Sequence, residues 1–264
     1  MLSGMSSPME WSRGRYEAVA ERIAAIADEV VARTDDVSPF DGAEVIDLAC
    51  GTGSAALAAH ERGAQVTGVD LTGDLVAIAE GKARDAGAVI RWITGDASDT
   101  GLDADSFDIA VSNMGIIFVD PDRQLTELSR LLRPGGVLGF SAWVRATHNP
   151  FYDPIVSVLG RPAPSGTSPD QWGEHDTIHA RLADDFQDVD VVTRTHTWQF
   201  ESLESALRFI AEESPMHVNV LHRINEMQHD RLMSAFEVAL TPHVGADGRV
   251  AFDSPYVIVT ARRQ

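Results

Sequence analysis

The 264-residue chain has a single cysteine, few basic side chains and no long apolar run. One cysteine, Cys50, cannot close an internal disulfide, which agrees with a reducing, intracellular setting. No stretch reaches the about 18 uninterrupted apolar residues of a membrane span. The start, MLSGMSSPMEWSRG, has no basic region followed by an apolar core, so it does not read as a secretory leader. Cytoplasm is the expected compartment, without membrane association. Lys and Arg number 21 against 40 Asp and Glu, a net charge of −19. Charge of that sign repels nucleic-acid phosphates and anionic lipid, so a nucleic-acid partner is not expected. The histidines lack the spacing of a metal cluster: His217, His222 and His229 stand at gaps of five and seven.

What is present is an ordinary globular composition, 44% apolar and 23% charged, arranged in a strict rhythm. Val19, Ile23, Ile26 and Val30 recur at helical steps and predict one amphipathic helix ending near Arg33. From there strands and helices alternate. EVIDLA is a strand, residues 54–61 a helix, 65–70 a strand, and 73–86 a helix with Leu75, Ile78 and Ala79 inward. Strands follow at 89–93 and 106–113, a helix at 124–132, a turn at Arg133-Pro134-Gly135-Gly136, and a fifth strand at 137–144. This alternation predicts a parallel sheet covered on both faces.

The rhythm breaks after Val144. Residues 145–180 hold five prolines, a short helical piece at 152–159, a loop (SGTSPDQWG) and a helix at 176–186. A sixth strand is expected at 189–200 and a seventh at 256–261, paired at the sheet edge. Between them residues 203–240 read as helical, with a turn near Pro215. The expected organisation is a cap-helix region at 1–40, an α/β core at 41–200 and 241–264, and substrate-side lid segments at 145–180 and 201–240.

The stretch EVIDLACGTG, residues 44–53, is the one the others are organised around. A strand that empties through Gly51 and Gly53 into a helix N-terminus makes a nucleotide-sized cradle, because the backbone can approach closely and N–H groups point outward. It has neither the lysine nor the Gly-Lys-Ser/Thr ending of a Walker loop. Cys50 reads as a small residue at a tight corner rather than a nucleophile, with no histidine near it in sequence. Asp70, ending the second strand, suits a ribose diol, which both NAD and S-adenosylmethionine carry. Asp47 lies just before the cradle, where a carboxylate would repel a pyrophosphate but tolerates the ammonium end of an amino acid. That favours a sulfonium cofactor with an amino-acid tail. Asp96 and Asn113, at two further strand ends, line up along the same crevice.

These pieces resemble the class I S-adenosylmethionine-dependent methyltransferases, in the small-molecule branch related to ubiquinone and menaquinone biosynthesis methyltransferases. The matching segments are VIDLACGTGSAAL, VTGVDLT, TGDASDTGLDADSFDIAVSNMGIIF and LSRLLRPGGVLGFSAW. The resemblance implies a Rossmann-like three-layer sandwich with a seven-stranded, mostly parallel sheet and an antiparallel last strand. It implies S-adenosyl-L-methionine held by the Ala49, Gly51 and Gly53 loop, Asp70 and Leu71 at the ribose, Asp96 and Ala97 at adenine, and Asn113, Met114 and Gly115 beside the sulfur. WSRGRY is similar to the helix that closes over the cofactor, which would bring Trp11, Arg15 and Tyr16 to its methionine end. No Asp- or Asn-Pro-Pro-Tyr follows the fourth strand, so the resemblance gives donor and fold but not acceptor.

The expected reaction is methyl transfer to the O, N or C atom of a small aromatic or natural-product acceptor, as in secondary metabolism, by a monomer or homodimer. The alternatives are a protein or RNA methyltransferase, or a relative with a non-methylating role such as cyclisation or ligand binding. His217, flanked by Pro215, Met216 and Val218, and His148, after the fifth strand, are the candidates for a general base. No metal is expected. Trp143, Phe151, Tyr152, Trp172, Phe209 and Phe236 are candidates either for a flat apolar acceptor pocket or for core.

Overall fold

The sequence rhythm becomes a seven-stranded sheet of order β3-β2-β1-β4-β5-β7-β6 in a computed structural model that describes residues 9–161 and 168–264. The strands are β1 (Glu44–Leu48), β2 (Gln65–Asp70), β3 (Ile90–Thr94), β4 (Phe107–Asn113), β5 (Leu132–Trp143), β6 (Phe186–Phe200) and β7 (Val250–Arg263). The first five are parallel in register, with Asp47 opposite Gly68 on one side and Val111 on the other. β7 runs antiparallel to β5, with Trp143 opposite Tyr256. The β6–β7 contacts Asp185–Gln264 and Thr197–Asp253 run in opposite senses, so β7 alone opposes the rest.

The chain divides into two units. The larger comprises Ile23–Arg145, Thr167–Arg194 and Pro255–Gln264. It holds β1 to β5, most of β6 and β7, and the helices α2 (Ala24–Val37), α3 (Ser54–Glu61), α4 (Gly73–Asp85), α5 (Pro121–Leu131) and α7 (His175–Leu182). Its core repeats the logic of small against branched: Ala55, Ala56, Ala58 and Ala59 of α3 let that helix lie close to Val45, Val66, Ile109 and Val111, with Ala27 and Val31 of α2 alongside. Ile46 and Leu48 are equally buried between these positions, which is what a strand covered on both faces requires.

The smaller unit comprises Met1–Arg22, Ala146–Gly166 and Thr195–Ser254. It contains α1 (Tyr16–Arg22), α6 (Asp153–Leu159), α8 (Leu203–Arg208), a π-turn at 209–213, α9 (Pro215–His222) and α10 (Glu226–Leu240). Phe151 is its hub. The ring lies 4.8 Å from Phe252, 5.2 Å from Trp198 and 5.1 Å from His217, and stacks on Phe209. The Arg22 guanidinium covers Phe200 and Phe209 at 5.0 and 4.7 Å.

Several boundaries differ from expectation. The N-terminal helix is two helices separated at Ile23, and the second continues past Arg33 to Val37. Ile78 faces solvent while Val76 is buried in its place. α5 starts at Pro121, three residues early, because Asp120 caps it by accepting from Arg123 N–H and proline fits the first turn. Arg133–Gly136 is not a free turn but part of β5, passed through a bulge with Gly135 at φ +79°. The helix expected at 176–186 stops at Leu182, and β6 begins at Phe186. The 203–240 stretch breaks twice, at Ser214 and before Asn225, whose side chain caps α10 by accepting from Gln228 N–H. Residues 1–8 of the expected loose N-terminus, Pro162, Pro164 and residues 165–167 of the expected loop lie outside the described residues. Among the described residues no helix is long and apolar enough to cross a membrane, and no cluster of His, Cys, Asp or Glu is placed to hold a metal ion.

Candidate functional site

Strand order decides where the site lies. Because β3, β2, β1 and β4 are adjacent and parallel, their carboxyl ends carry Asp96, Asp70, Asp47 and Asn113 along one sheet edge. The order reverses between β1 and β4, the position at which open α/β sheets leave a crevice.

The cradle between β1 and α3 is built from left-handed backbone. Ala49, Gly51 and Gly53 have φ of 53°, 54° and 82°. Gly53 is the N-cap of α3 and has no side chain to offer the helix. Asp47 does that work from inside the strand: its Oδ2 accepts the N–H of Ala56 at 2.9 Å. Its Oδ1 is buried without a hydrogen-bond partner, and so is Oγ1 of Thr52 in the turn. Asp47 is 1% exposed, and burial, with the nearby Asp70 adding to it, raises its pKa to about 8 despite the Ala56 N–H. Cys50 is buried, and burial pushes its thiol well above the usual range, which agrees with a space-filling role.

Asp70 braces the same loop. Its Oδ2 accepts Gly51 N–H and its Oδ1 accepts Thr72 N–H, both at 2.8 Å. A carboxylate offers about four lone-pair sites, so both oxygens keep capacity for ribose hydroxyls. Beside it, Leu71 is 71% exposed, an apolar side chain standing in solvent at the sheet edge. Asp96 is a partly exposed anion. Its carboxyl is held below the usual range by the N–H of Ser98 at 2.8 Å, then by the Ser98 hydroxyl at 2.7 Å and Arg123 at 3.3 Å. Ala97 is buried, with its carbonyl accepting from Gln124 Nε2 at 3.2 Å.

The end of β4 is tied to β5 and to the cradle. Ser141 Oγ donates to Asn113 Oδ1 at 2.7 Å and accepts Met114 N–H at 3.1 Å. Ser112 Oγ donates to Leu48 carbonyl at 2.7 Å and accepts Ile116 N–H at 3.1 Å. Met114 is left-handed at φ 57°, and Gly115 abuts Ala49 so closely that a Cβ there would lie 2.8 Å from Ala49 Cβ. Ala49, Asn113, Met114 and Gly115 thus form one continuous wall. Sequence reasoning missed Ser112, Ser141 and Gln124. Ser112 and Ser141 are marked only as polar residues inside apolar runs, and Gln124, in the polar stretch PDRQLTELSR, carries no such mark.

Trp11, Arg15, Tyr16, His148 and His217 belong to the smaller unit. Trp11 and Tyr16 meet edge to face at 6.1 Å, and Arg15 pairs with Glu213 at 3.4 Å while its N–H donates to the Glu213 carbonyl. His148 is exposed on the segment before α6. His217 does not meet the expectation of a general base. It is 4% exposed, its Nε2–H donates to the Phe151 carbonyl at 3.0 Å, and its Nδ1 accepts from Ser214 Oγ at 2.7 Å. Neither nitrogen has a lone pair left for a substrate proton, and burial lowers its pKa to about 4. Of the aromatic candidates, Trp172, Phe209 and Phe236 are core at 1% exposure or less, whereas Tyr152 is 39% exposed.

Residues 46–140 match the methyltransferase domain family. An uncharacterized protein of Mycobacterium tuberculosis is 31% identical over 185 residues, 68% of this chain and 65% of the relative's length. The demethylmenaquinone methyltransferase of Clavibacter sepedonicus is 37% identical over 108 residues, 40% of this chain and 43% of that enzyme. Among solved structures, a phosphoethanolamine N-methyltransferase 2 of Haemonchus contortus, in complex with phosphomonomethylethanolamine and S-adenosylhomocysteine, superposes with a TM-score of 0.55. That match has 20% identity and covers 89% of this chain and 52% of the other. Residues 46–140 are thus similar to the methyltransferase domain family, and the left-handed cradle and the acidic strand ends Asp47, Asp70 and Asp96 all lie within that matched segment.

Proposed function

We propose that the chain transfers a methyl group from S-adenosylmethionine to a small-molecule acceptor, aromatic or natural-product in character. The observation that carries the reading is the buried, unpartnered Oδ1 of Asp47 behind a cradle of left-handed backbone, in line with Asp70 and Asp96. Each part of the cofactor has a counterpart. Asp47 and the Gly51–Gly53 turn would take the amino-acid end, Asp70 the ribose, exposed Leu71 a face of the adenine, Asp96 and Ala97 its edge, and Asn113 to Gly115 the sulfur.

The bound cofactor supplies an activated methyl on a cationic sulfur. This chain's contribution is alignment. The Ser141–Asn113 and Ser112–Leu48 hydrogen bonds fix the wall against the glycine turn, so the β4 end and the cradle hold one spacing. The reading assigns His217 a structural role in the Phe151 cluster. His148 keeps the accessibility that proton transfer needs, and a hydroxyl acceptor is the class for which such a base would matter. A small acceptor is favoured over a macromolecular one by the net charge of −19, which gives no attraction for a polyanion.

The test is an acceptor screen with isotopically labelled S-adenosylmethionine, read by mass spectrometry, alongside calorimetric binding of S-adenosylhomocysteine. Label transfer to a small molecule supports the proposal. Label transfer only to protein or RNA, or no binding of S-adenosylhomocysteine, overturns it.

A further inference from the structure

The feature with most left to explain is the Asp47 carboxyl. A buried carboxyl with one oxygen unpartnered is costly as an anion, and the surroundings make it costlier. From β2 it faces the carboxylate of Asp70, and from the turn the Cys50 thiol. β4 brings Val111 and α3 brings the N–H of Ala56, neither ionisable. The Ala56 N–H satisfies Oδ2 whether the group is charged or not, so the distinction falls on Oδ1.

Resting on the methyltransferase reading, we propose that Asp47 carries a proton on its carboxyl in the free protein and releases it when the ammonium end of the cofactor seats at the glycine turn. The O–H bond of the carboxyl breaks, the electron pair stays on Oδ1, and the proton goes to buffer. The carboxylate then has a cation to offset the neighbouring Asp70 carboxylate. Cofactor uptake is thereby coupled to pH, and the acid that ends β1 acts as a discriminator for ligands with a positive amino-acid tail. A ligand with the same adenine and ribose but no tail leaves the proton where it is.

The linkage has a definite sign and size. With a pKa of about 8 in the free protein, Asp47 is mostly protonated at pH 6.5, and a nearby cation draws that pKa down. Binding of S-adenosylhomocysteine at pH 6.5 therefore releases about 0.9 proton, and release fades towards zero above pH 9. Affinity should rise close to tenfold per pH unit between pH 6 and 7.5, then level off.

The experiment is titration calorimetry of the full chain with S-adenosylhomocysteine at pH 6.5 in three buffers of different ionisation enthalpy, whose slope counts protons. Release near 0.9, absent with 5′-methylthioadenosine, is the expected result. Asp47→Asn, which keeps an acceptor for Ala56 N–H, should bind with no proton exchange and with pH-independent affinity. Should that variant not fold, the wild-type comparison of the two ligands decides. Tight S-adenosylhomocysteine binding with no proton released overturns this inference and leaves the methyltransferase reading standing. Absence of binding overturns both.

Discussion

Asp70 offers the most direct test of how the site is built. The residue read from sequence as a ribose ligand is, in the fold, first a brace. Its two oxygens accept Gly51 N–H and Thr72 N–H at 2.8 Å each, closing the cradle against β2. Asp70→Ala removes both. Hydrogen bonds to a charged group contribute about 1.5–3 kcal/mol each; the Gly51 bond is buried and the Thr72 bond part-buried, so the lower figure is a floor for the pair. That gives a loss of at least about 3 kcal/mol for the pair. In a chain of this size each kcal/mol moves the melting temperature by roughly 2–4 °C, so the ligand-free variant should melt about 6–12 °C lower. Asp70→Asn keeps one acceptor and should lose about half as much. Thermal melts by circular dichroism without ligand isolate this effect, and calorimetry with S-adenosylhomocysteine then measures the ribose role, expected at about tenfold or more in affinity. A melting temperature unchanged within about 2 °C would refute the bracing argument, whatever happened to binding.

Other substitutions probe separate parts. Gly115→Ala drives a methyl against the Ala49 backbone and to 2.8 Å from Ala49 Cβ; neither side can yield, so about 1–3 kcal/mol is lost in urea melts together with cofactor affinity. Gly81→Ala in α4 meets only Arg84 Nη2 at 3.7 Å and should stabilise by about 0.5–1 kcal/mol in the same assay. His217 has a folded pKa of about 4 against an ordinary 6.5, so its contribution is complete above pH 6.5 and is lost as pH falls towards 4. The pH profile of urea-unfolding free energy should lose that acid-side slope of about 1.4 kcal/mol per unit in His217→Leu. Asp47 works the other way. Its raised pKa makes the ligand-free fold lose stability as pH rises from about 4 to 8, a slope of similar size that should vanish in Asp47→Asn.

Much of the fold was legible because its signals are local. Residues 54–61 and 65–70 form the helix and strand their sequences predict, since apolar spacing and glycine punctuation agree there. Boundaries failed where a single residue carries the decision: Asp120 starts α5 early, and Gly135 turns an apparent loop into a bulge within β5. Within the site, the acids at strand ends could be found because the strands could be found. What could not be read is second use. Asp70 and Asp47 each hold a backbone N–H from a segment that becomes their neighbour only after β1, β2 and α3 pack. The same blindness applies to His217, whose apolar flanks suggested a tuned base, while its partners Phe151 and Ser214 arrive from a distant loop and the preceding turn.

Trp92 lies against the cradle from β3. A Cβ on Gly53 would meet its ring at 2.6 Å, and one on Gly68 would overlap the same ring and approach Cys50 Sγ at 3.3 Å. One large side chain therefore fills the volume that two absent ones leave. In evolutionary terms the three positions form a single heritable unit. A descendant that gains a side chain at 68 must first shrink the residue at 92, and one that shrinks 92 opens a void beneath the turn that glycine can no longer fill. Lineages should drift along that diagonal or not at all, and a combined Gly68→Ala, Trp92→Leu variant should be tolerated better than Gly68→Ala alone.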